Sequence, residues 1–258
     1  MEYIKYEVHN SIASIIIDRP EQLNTFNYLA LKELGDVLEE IKTSKEVCVV
    51  TVSGAGEKAF SAGADLKERR TLSEKEVRRN VSKIREVFLA LEELPQPSIA
   101  AINGYALGGG FELALACDFR IAAEDALLGL PEVGWAIVPG AGGTQRLSRL
   151  IGISRTKEWI LTARKFKAEE AAATGAVNKA VPKMSLWKEV NALAEEILGN
   201  GPLAVAQAKY AIDNGANTDT YTGMKIESQA YERIIPTSDR IEALDAFKEK
   251  RAPVFKGE

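Results

Sequence analysis

Residues 98–112 read SIAAINGYALGGGFE, and this stretch decides the class of fold. Its first five residues are small or apolar and predict a buried strand, after which three consecutive glycines open a short apolar helix that ends near Cys117. Glycine has no Cβ, so a ligand can approach the backbone there, and the free N–H groups at the start of a helix attract negative charge. A buried strand that passes through glycines into a helix predicts an α/β protein with a ligand site at the glycines.

Charged residues are almost absent from two windows of the chain. Residues 94–117 contain one, Glu112, and residues 126–145 contain one, Glu132, although 27% of the whole chain is charged. We predict that both windows lie in the most buried parts of the fold, where a lone carboxylate must be paired, placed in a cavity, or protonated with a raised pKa. Singly, Glu112 can complement a helix dipole and Glu132 can face solvent from a turn. Together, beside glycine-rich backbone, they predict an acid–base site.

A second loop rich in small residues precedes this region. Residues 60–67 read FSAGADLK and follow a strand predicted at 47–52. We expect one backbone N–H from this loop and one from the glycine cluster to hold a developing oxyanion. Each donor of this kind is worth roughly 10²–10³-fold in rate.

Motifs for phosphate binding and for serine hydrolysis fit the chain less well. The pattern GxxxxGK[ST] is absent because no glycine is followed by lysine, and GxSxG is absent as well. Residues 54–59, GAGEKA, match GxGxx[GA] after a strand. A dinucleotide site also needs a helix directly after the glycines and an acidic residue at the end of the next strand, and neither is predicted here.

Outward from these loops, periodicity predicts an α/β core followed by a helical region. We predict a hairpin up to residue 18, helices over 26–42 and 73–94, and strands at 119–123, near Leu127 and at 177–181. From about Ser154 the chain is mostly helical, with turns at 199–202 and 214–215. The predicted fold class is therefore α/β (α+β), with a core over residues 1–195 and a helical C-terminal domain over residues 196–258.

Composition excludes several classes of protein and of site. With 258 residues, 46% of them hydrophobic, and a net charge of −4, the chain resembles neither a disordered protein nor a general nucleic-acid coat. A single histidine, His9, excludes HExxH and three-histidine metal sites, and a Ser-His-Asp triad would have to use it. The two cysteines, Cys48 and Cys117, lie in apolar runs, cannot form a four-cysteine zinc site and suit a reducing cytoplasm. Because no signal pattern and no apolar stretch of about 18 residues is present, we expect a cytoplasmic enzyme that works without histidine or metal.

Four segments together resemble the enoyl-CoA hydratase/isomerase (crotonase) superfamily. In chain order they are FSAGADLK (60–67), AINGYALGGGFE (101–112, continuing to Cys117-Asp118), LPE (130–132) and PGAGGTQRL (139–147). A lone glycine triplet is a weak signal, whereas four motifs in this order and spacing are specific. Residues 246–258 also resemble the tail of the family's hydratases, so the resemblance covers essentially the whole chain.

The resemblance implies a fold, an assembly and a substrate class. The implied fold is a crotonase-like spiral of ββα units closed by a C-terminal helical domain, which assembles as a homotrimer or as a homohexamer made of two trimers. The implied substrate is an acyl-CoA thioester, as in the β-oxidation of fatty acids. No metal or redox cofactor is implied, since coenzyme A is part of the substrate, and no membrane partner is expected.

The resemblance also implies roles for particular residues. The thioester oxygen is expected between the backbone N–H groups of Ala64 and Gly109. Glu112 and Glu132 match the two catalytic glutamates of the hydratases, in which the first takes a proton from water as its oxygen adds to Cβ and the second supplies a proton to Cα. Contacts with the coenzyme A moiety are expected at Leu23, Ala62, Ala64, Asp65, Leu66, Lys67 and Gly109, and at Phe247 and Lys250 of a neighbouring subunit.

Within the family, hydration of a 2-enoyl-CoA to a 3-hydroxyacyl-CoA ranks first. Both glutamates are present, whereas many isomerases of the superfamily keep only the position of Glu132. Hydration of a branched or carboxylated substrate such as 3-methylglutaconyl-CoA ranks second, because the C-terminal tail and the LPE motif suggest it but no cation is identified at the acyl end. Trp135 and Phe111 flank the two acids and either limit the acyl group or belong to the core.

Two functions outside catalysis rank lower. Some hydratases bind RNA through lysines of the first helix, but here that helix carries only Lys32 and Lys42 among four acidic residues. Residues 67–86 hold eight Lys and Arg against four Glu, which predicts a solvated face, part of which attracts the phosphates of coenzyme A. A non-catalytic scaffold is disfavoured because both glutamates are retained.

Overall fold

Ten strands form two β-sheets in the computed structural model, which describes all residues from Met1 to Glu258. The strands are β1 (Ile4–His9), β2 (Ile12–Ile17), β3 (Val49–Gly54), β4 (Ala59–Ser61), β5 (Ser98–Ile102), β6 (Tyr105–Leu107), β7 (Phe119–Ala123), β8 (Leu127–Gly129), β9 (Phe166–Lys167) and β10 (Lys179–Val181). The large sheet has the order β1-β2-β3-β5-β7-β10 and the small sheet the order β4-β6-β8-β9. Both are parallel except at one edge, where β1 pairs with β2 and β8 pairs with β9 in antiparallel fashion.

Eleven α-helices surround the sheets, and the two long helices of the first half of the chain begin at side-chain caps. The side chain of Asn27 accepts a hydrogen bond from the N–H of Ala30 at 2.8 Å, and Ser73 and Glu76 form a capping box. The two helices predicted over 26–42 and 73–94 are therefore confirmed to within two residues at each end. The helices are α1 (Tyr28–Thr43), α2 (Leu66–Arg69), α3 (Glu74–Glu92), α4 (Gly109–Ala116), α5 (Gly143–Ile151), α6 (Ile153–Leu161), α7 (Ala168–Thr174), α8 (Leu186–Leu198), α9 (Pro202–Gly215), α10 (Thr220–Ile234) and α11 (Ser238–Glu249).

Three successive parts of the chain repeat one pattern. In each part a first strand (β3, β5, β7) enters the large sheet, a second strand (β4, β6, β8) enters the small sheet, and a helix or helical turn follows. The predicted spiral of ββα units is thereby confirmed. Because β4, β6 and β8 are parallel neighbours, their carboxyl ends lie side by side, and the loops that follow them meet at one edge of the small sheet.

The central strands of the large sheet are buried on both faces, as parallel strands usually are. Successive side chains alternate between two apolar layers: Val50 and Val52 join the main core beneath α1, α3 and α4, whereas Val49 and Ile99 pack against α8. The predicted division between residues 195 and 196 falls inside α8, which packs on the sheet. The last three helices begin instead at Pro202, after the turn at 199–201, and the division into two domains stays a prediction.

The last three helices expose large apolar side chains. Tyr221, Tyr231 and Phe247 are each more than half exposed, and α9 and α10 pack mainly on one another. Exposed apolar side chains of this kind are what a subunit interface would cover, and the assembly into trimers stays a prediction. None of the helices has the length and apolar character that crossing a membrane requires.

Candidate active site

Three loops meet where the small sheet ends. The loop after β4 carries Ala64, the turn after β6 carries Gly109, and Glu132 lies just after β8 in a short 3₁₀ helix, Glu132–Trp135. Glu112 lies one turn into α4, which begins at Gly109. The four residues predicted to perform the chemistry are therefore brought to one place by the parallel pairing of three short strands.

The backbone N–H groups of Ala64 and Gly109 are both free to bind a ligand. Neither donates a hydrogen bond to another group of the chain. Ala64 forms a bridge with Phe26, in which the N–H of Phe26 donates to the carbonyl of Gly63 at 2.8 Å, so the N–H of Ala64 points to the opposite side. A Cβ placed at Gly63 would lie 2.8 Å from the nitrogen of Gly109, which shows how closely the two loops approach.

A buried ion pair holds the first of these loops. The carboxylate of Asp65 accepts hydrogen bonds from the N–H groups of Lys67 and Glu68 at 3.0 and 3.2 Å and so caps α2. Its second oxygen lies 3.0 Å from the Nη2 of Arg19, whose own side chain is 9% exposed. Because these contacts occupy both oxygens, Asp65 holds the loop after β4 in place. Its backbone is engaged as well, since its N–H donates to the carbonyl of Phe26 and its carbonyl accepts from the N–H of Arg69, both at 2.9 Å.

Glu112 is held by two backbone donors. Its Oε1 accepts hydrogen bonds from the N–H groups of Ala141 and Gly143, both at 2.8 Å, and the residue is 3% exposed. Burial raises the pKa of Glu112, while these two N–H groups and the positive charges of Arg146 and Arg85 oppose the rise. Its Oε2 makes no hydrogen bond within the chain.

Glu132 has no comparable support. The residue is 8% exposed, and its Oε2 is buried without a hydrogen-bond partner. Burial, as the larger cause, and the negative charge of Glu112, as the smaller, raise the pKa of Glu132 to about 7. A Cβ at Gly108 would lie 3.3 Å from Oε1 of Glu132, so the absence of that atom leaves room for the carboxyl group. Of the two acids, Glu112 is therefore better suited to stay ionised and Glu132 to hold a proton.

Arg146 supports the loop that holds Glu112. Its guanidinium binds both carboxylate oxygens of Glu92, at 3.0 and 2.6 Å, and donates to the carbonyl of Ala141 at 2.7 Å. The N–H of the same Ala141 is a donor to Glu112. Sequence reasoning missed Arg146, although it directly follows the second charge-poor window. Nothing in the sequence connects it with a glutamate 54 positions earlier.

The acids and the free amides line one cavity of about 1040 Å³, large enough for a cofactor-sized ligand. Ala62, Asp65 and Leu66 line it too, whereas Leu23, Lys67, Phe247 and Lys250 do not line it in the single chain. Leu23 contacts a residue that lines the cavity, since its carbonyl accepts a hydrogen bond from the N–H of Ala62 at 2.9 Å. The predicted contacts of Lys67, and those of Phe247 and Lys250 from a neighbouring subunit, stay predictions. Of the basic segment 67–86, Arg69 and Arg85 reach the cavity.

The second charge-poor window is less buried than predicted. Trp135 and Val138 are 68% and 72% exposed, whereas Phe111, in the first window, is fully buried in the core. The prediction was wrong here because residues that line a ligand cavity lack charge for the same reason as core residues, which is to present apolar surface. Trp135 and Val138 both line the cavity.

The structure has no cluster of metal ligands, and both cysteines lie outside the cavity. No three or more His, Cys, Asp or Glu side chains lie close enough together to hold a metal ion. Cys117 is buried, as predicted, and burial raises the pKa of its thiol to about 12, whereas Cys48 is only half-buried. Neither thiol lines the large cavity.

The pKa of Glu132 makes folding stability depend on pH. Its pKa lies above the ordinary value of 4.5, at about 7, so the folded protein binds the proton more tightly than the unfolded chain does. The resulting stabilisation is complete below pH 4.5 and is lost as the pH rises through 7. We expect Glu132→Gln to remove this loss. The free energy of unfolding of the variant minus that of the wild type should therefore be larger at pH 8 than at pH 5, by about 1–3 kcal/mol.

Urea denaturation of both proteins across this pH range measures the difference. The matched control is Glu7→Gln on strand β1, where the side chain faces solvent. A constant difference between Glu132→Gln and the wild type at every pH would contradict the assigned environment of Glu132.

Comparisons with known proteins identify the family. The family model for enoyl-CoA hydratase/isomerase matches residues 7–258. The chain is 44% identical to the short-chain-enoyl-CoA hydratase of Clostridium acetobutylicum, over 95% of this chain and 94% of that protein. It is also 44% identical to the mitochondrial methylglutaconyl-CoA hydratase of Homo sapiens, over 98% of this chain and 76% of that protein. The crystal structure of enoyl-CoA hydratase from Bacillus anthracis matches with a TM-score of 0.97 at 52% identity, covering 99% of this chain and 100% of that one. With this match along nearly its whole length and the crotonase fold of its structural neighbours, the chain is an enzyme of the enoyl-CoA hydratase/isomerase family.

Proposed function

We propose that the enzyme is a hydro-lyase that adds water to a 2-enoyl-CoA thioester and forms a 3-hydroxyacyl-CoA. The observation that carries this proposal is the presence of two buried carboxyl groups with different surroundings in one cavity that also holds two unpaired backbone N–H groups. Addition of water to a conjugated thioester needs a base for the water, an acid for Cα and donors for the oxygen that becomes negative. The cavity supplies one group for each need.

The two amides stabilise the enolate. As water adds to Cβ, the thioester oxygen gains negative charge, which the N–H groups of Ala64 and Gly109 stabilise by hydrogen bonds. Both donors belong to the backbone of loops held by other contacts, so they need little reorganisation during the reaction. The same two contacts orient the planar thioester before it reacts.

The two glutamates divide the proton transfers. Glu112 accepts a proton from water while the water oxygen bonds to Cβ, and the electron pair of the double bond moves through Cα into the thioester. Glu132 then donates its proton to Cα as the carbonyl forms again. Both acids flank the same cavity, which favours addition of the oxygen and the hydrogen to one face of the substrate. Glu132, whose pKa is about 7, holds its proton in a large part of the molecules at neutral pH.

Several predictions about the whole enzyme belong with this proposal. No step requires a metal or redox cofactor, because coenzyme A is part of the substrate. Assembly into trimers or pairs of trimers would add Phe247 and Lys250 of a neighbouring subunit to the coenzyme A site. We further propose that the enzyme is cytoplasmic, takes part in fatty acid β-oxidation and does not bind RNA.

Incubation with crotonyl-CoA in water enriched in oxygen-18 tests the proposed reaction. The expected product is 3-hydroxybutyryl-CoA that carries the label at Cβ, identified by mass spectrometry after chromatography. A control without enzyme measures spontaneous addition. Absence of the labelled product, or movement of the double bond in a 3-enoyl-CoA without any hydration, would overturn the assignment as a hydratase and favour an isomerase.

A further inference from the structure

Arg85 is a cation of the cavity that lacks an acidic partner within the chain. It lies on α3, and its Nε donates a hydrogen bond to the carbonyl of Gly140 at 3.2 Å. Its Nη1 and Nη2 atoms bind no group of the chain, and no carboxylate lies within ion-pair distance. Two other arginines near the site form ion pairs, Arg19 with Asp65 and Arg146 with Glu92.

The position of Arg85 relative to the two acids shows which part of a substrate it would meet. Gly140 directly precedes Ala141, whose N–H binds Glu112. Arg85 therefore lies on the Glu112 side of the cavity, close enough for its charge to act on that carboxyl group. The thioester belongs at Ala64 and Gly109, and Glu112 serves Cβ, so the acyl chain beyond Cβ is the part that extends toward Arg85.

The remaining cavity cations lie in other places. Arg69 follows Leu66 on α2, on the side of the loop that carries Ala64. Lys165 also lines the cavity and lies next to Gly129, because a Cβ at Gly129 would lie 3.4 Å from the Cα of Lys165. Gly129 ends β8, shortly before Glu132, so Lys165 lies on the Glu132 side of the cavity. The acid next to Arg85 in sequence, Glu86, pairs with Lys83 at 2.7 Å and does not neutralise Arg85.

We infer that Arg85 binds a carboxylate at the far end of the acyl group, so that short 2-enoyl-CoA thioesters with a terminal carboxylate are substrates in addition to those without one. The assignment rests on the proposed function. The side chain of Arg85 is exposed, and its guanidinium presents two parallel N–H donors that match the two oxygens of a carboxylate. Trp135 and Val138 supply apolar walls of the cavity. The guanidinium also offsets repulsion between the carboxylate of the substrate and an ionised Glu112.

Kinetics with two substrates test this inference. We compare kcat/KM for 3-methylglutaconyl-CoA, which has the terminal carboxylate, with kcat/KM for crotonyl-CoA, which lacks it. In Arg85→Gln the ratio of the first to the second is expected to fall about 3- to 10-fold, as loss of a charge-assisted contact with an exposed guanidinium implies. The matched control is Arg78→Gln on the same helix, where the side chain is exposed, pairs with Glu74 and does not line the cavity. Its ratio should equal that of the wild type.

Binding of the products separates this inference from the proposed function. Isothermal titration with 3-hydroxy-3-methylglutaryl-CoA and with 3-hydroxybutyryl-CoA requires no turnover, so it reports on Arg85 even if neither substrate is hydrated. Weaker binding of the carboxylated product alone in Arg85→Gln would support the role of Arg85. Equal effects of Arg85→Gln on both ligands, or a selective loss in Lys165→Gln instead, would overturn it.

Discussion

Replacing Glu132 by glutamine is expected to lower kcat for hydration of crotonyl-CoA by about 10²–10⁴-fold, and the same change at Glu112 should have an effect of similar size. The amide keeps the shape of each side chain but can neither accept the proton of water nor give a proton to Cα. Substrate affinity should change much less, because the thioester is held by backbone N–H groups that neither substitution touches. Stopped or continuous assays that follow the loss of the conjugated thioester give kcat and KM.

The matched control for these variants is Glu33→Gln. Glu33 is also largely buried, but it accepts hydrogen bonds from the N–H groups of Glu2, Tyr3 and Ile4 and lies outside the cavity. This variant can lose stability, yet its folded form should keep the kcat of the wild type. The double variant Glu112→Gln/Glu132→Gln should lose little more than the worse single variant, because the two acids act in one reaction. Near-normal hydration by both single variants would rule out the mechanism.

Gly63→Ala is expected to lower kcat/KM by about 10²–10³-fold through loss of the oxyanion site. The new Cβ would lie 2.8 Å from the nitrogen of Gly109 and 2.8 Å from the carbonyl oxygen of Leu107. Both neighbours are backbone atoms that cannot rotate away, so the two loops must separate, and the N–H groups of Ala64 and Gly109 can no longer meet one oxygen. Steady-state kinetics with crotonyl-CoA measure the loss.

Backbone strain alone must be distinguished from this effect. Gly63 has a φ of +89°, and Gly152 has a φ of +80° with no atom within 4 Å of a new Cβ. Gly152→Ala therefore carries the same kind of strain without contact with either loop, and its folded form should retain the kcat/KM of the wild type. Equal activity of the two alanine variants would contradict the role assigned to the approach between Gly63 and Gly109.

Local patterns in the sequence were sufficient to predict the longer elements. The strand over residues 119–123 and the helices α1 and α3 follow from side-chain periodicity and caps, which depend on neighbours a few residues away. The strand predicted near Leu127 is confirmed as β8, whereas the short strands β4 and β6 were not predicted. Three residues carry too little periodicity, and such strands are held in place by pairing with segments distant in sequence.

The two acids could be predicted, whereas their partners could not. Glu112 and Glu132 are noticeable because each is the single charge in a long apolar window. Arg85 and Arg146 have no such signal, since charged residues are common in the segments around Arg85 and after Arg146. Their importance depends on which backbone carbonyl each reaches, Gly140 for the first and Ala141 for the second.

The sequence by itself determined the α/β class, the positions of the long elements, the two loops with free N–H groups and the two candidate acids. It could do so because burial excludes charge and because glycine and small residues are required wherever backbone approaches a ligand. Only the tertiary structure decided that these loops and acids share one cavity, that Glu112 has two backbone donors while Glu132 has an unpaired oxygen, and that Arg85 remains without an acidic partner. The physical reason is that hydrogen bonds and charge interactions act over a few ångströms in space, and the parallel pairing of β4, β6 and β8 sets those distances.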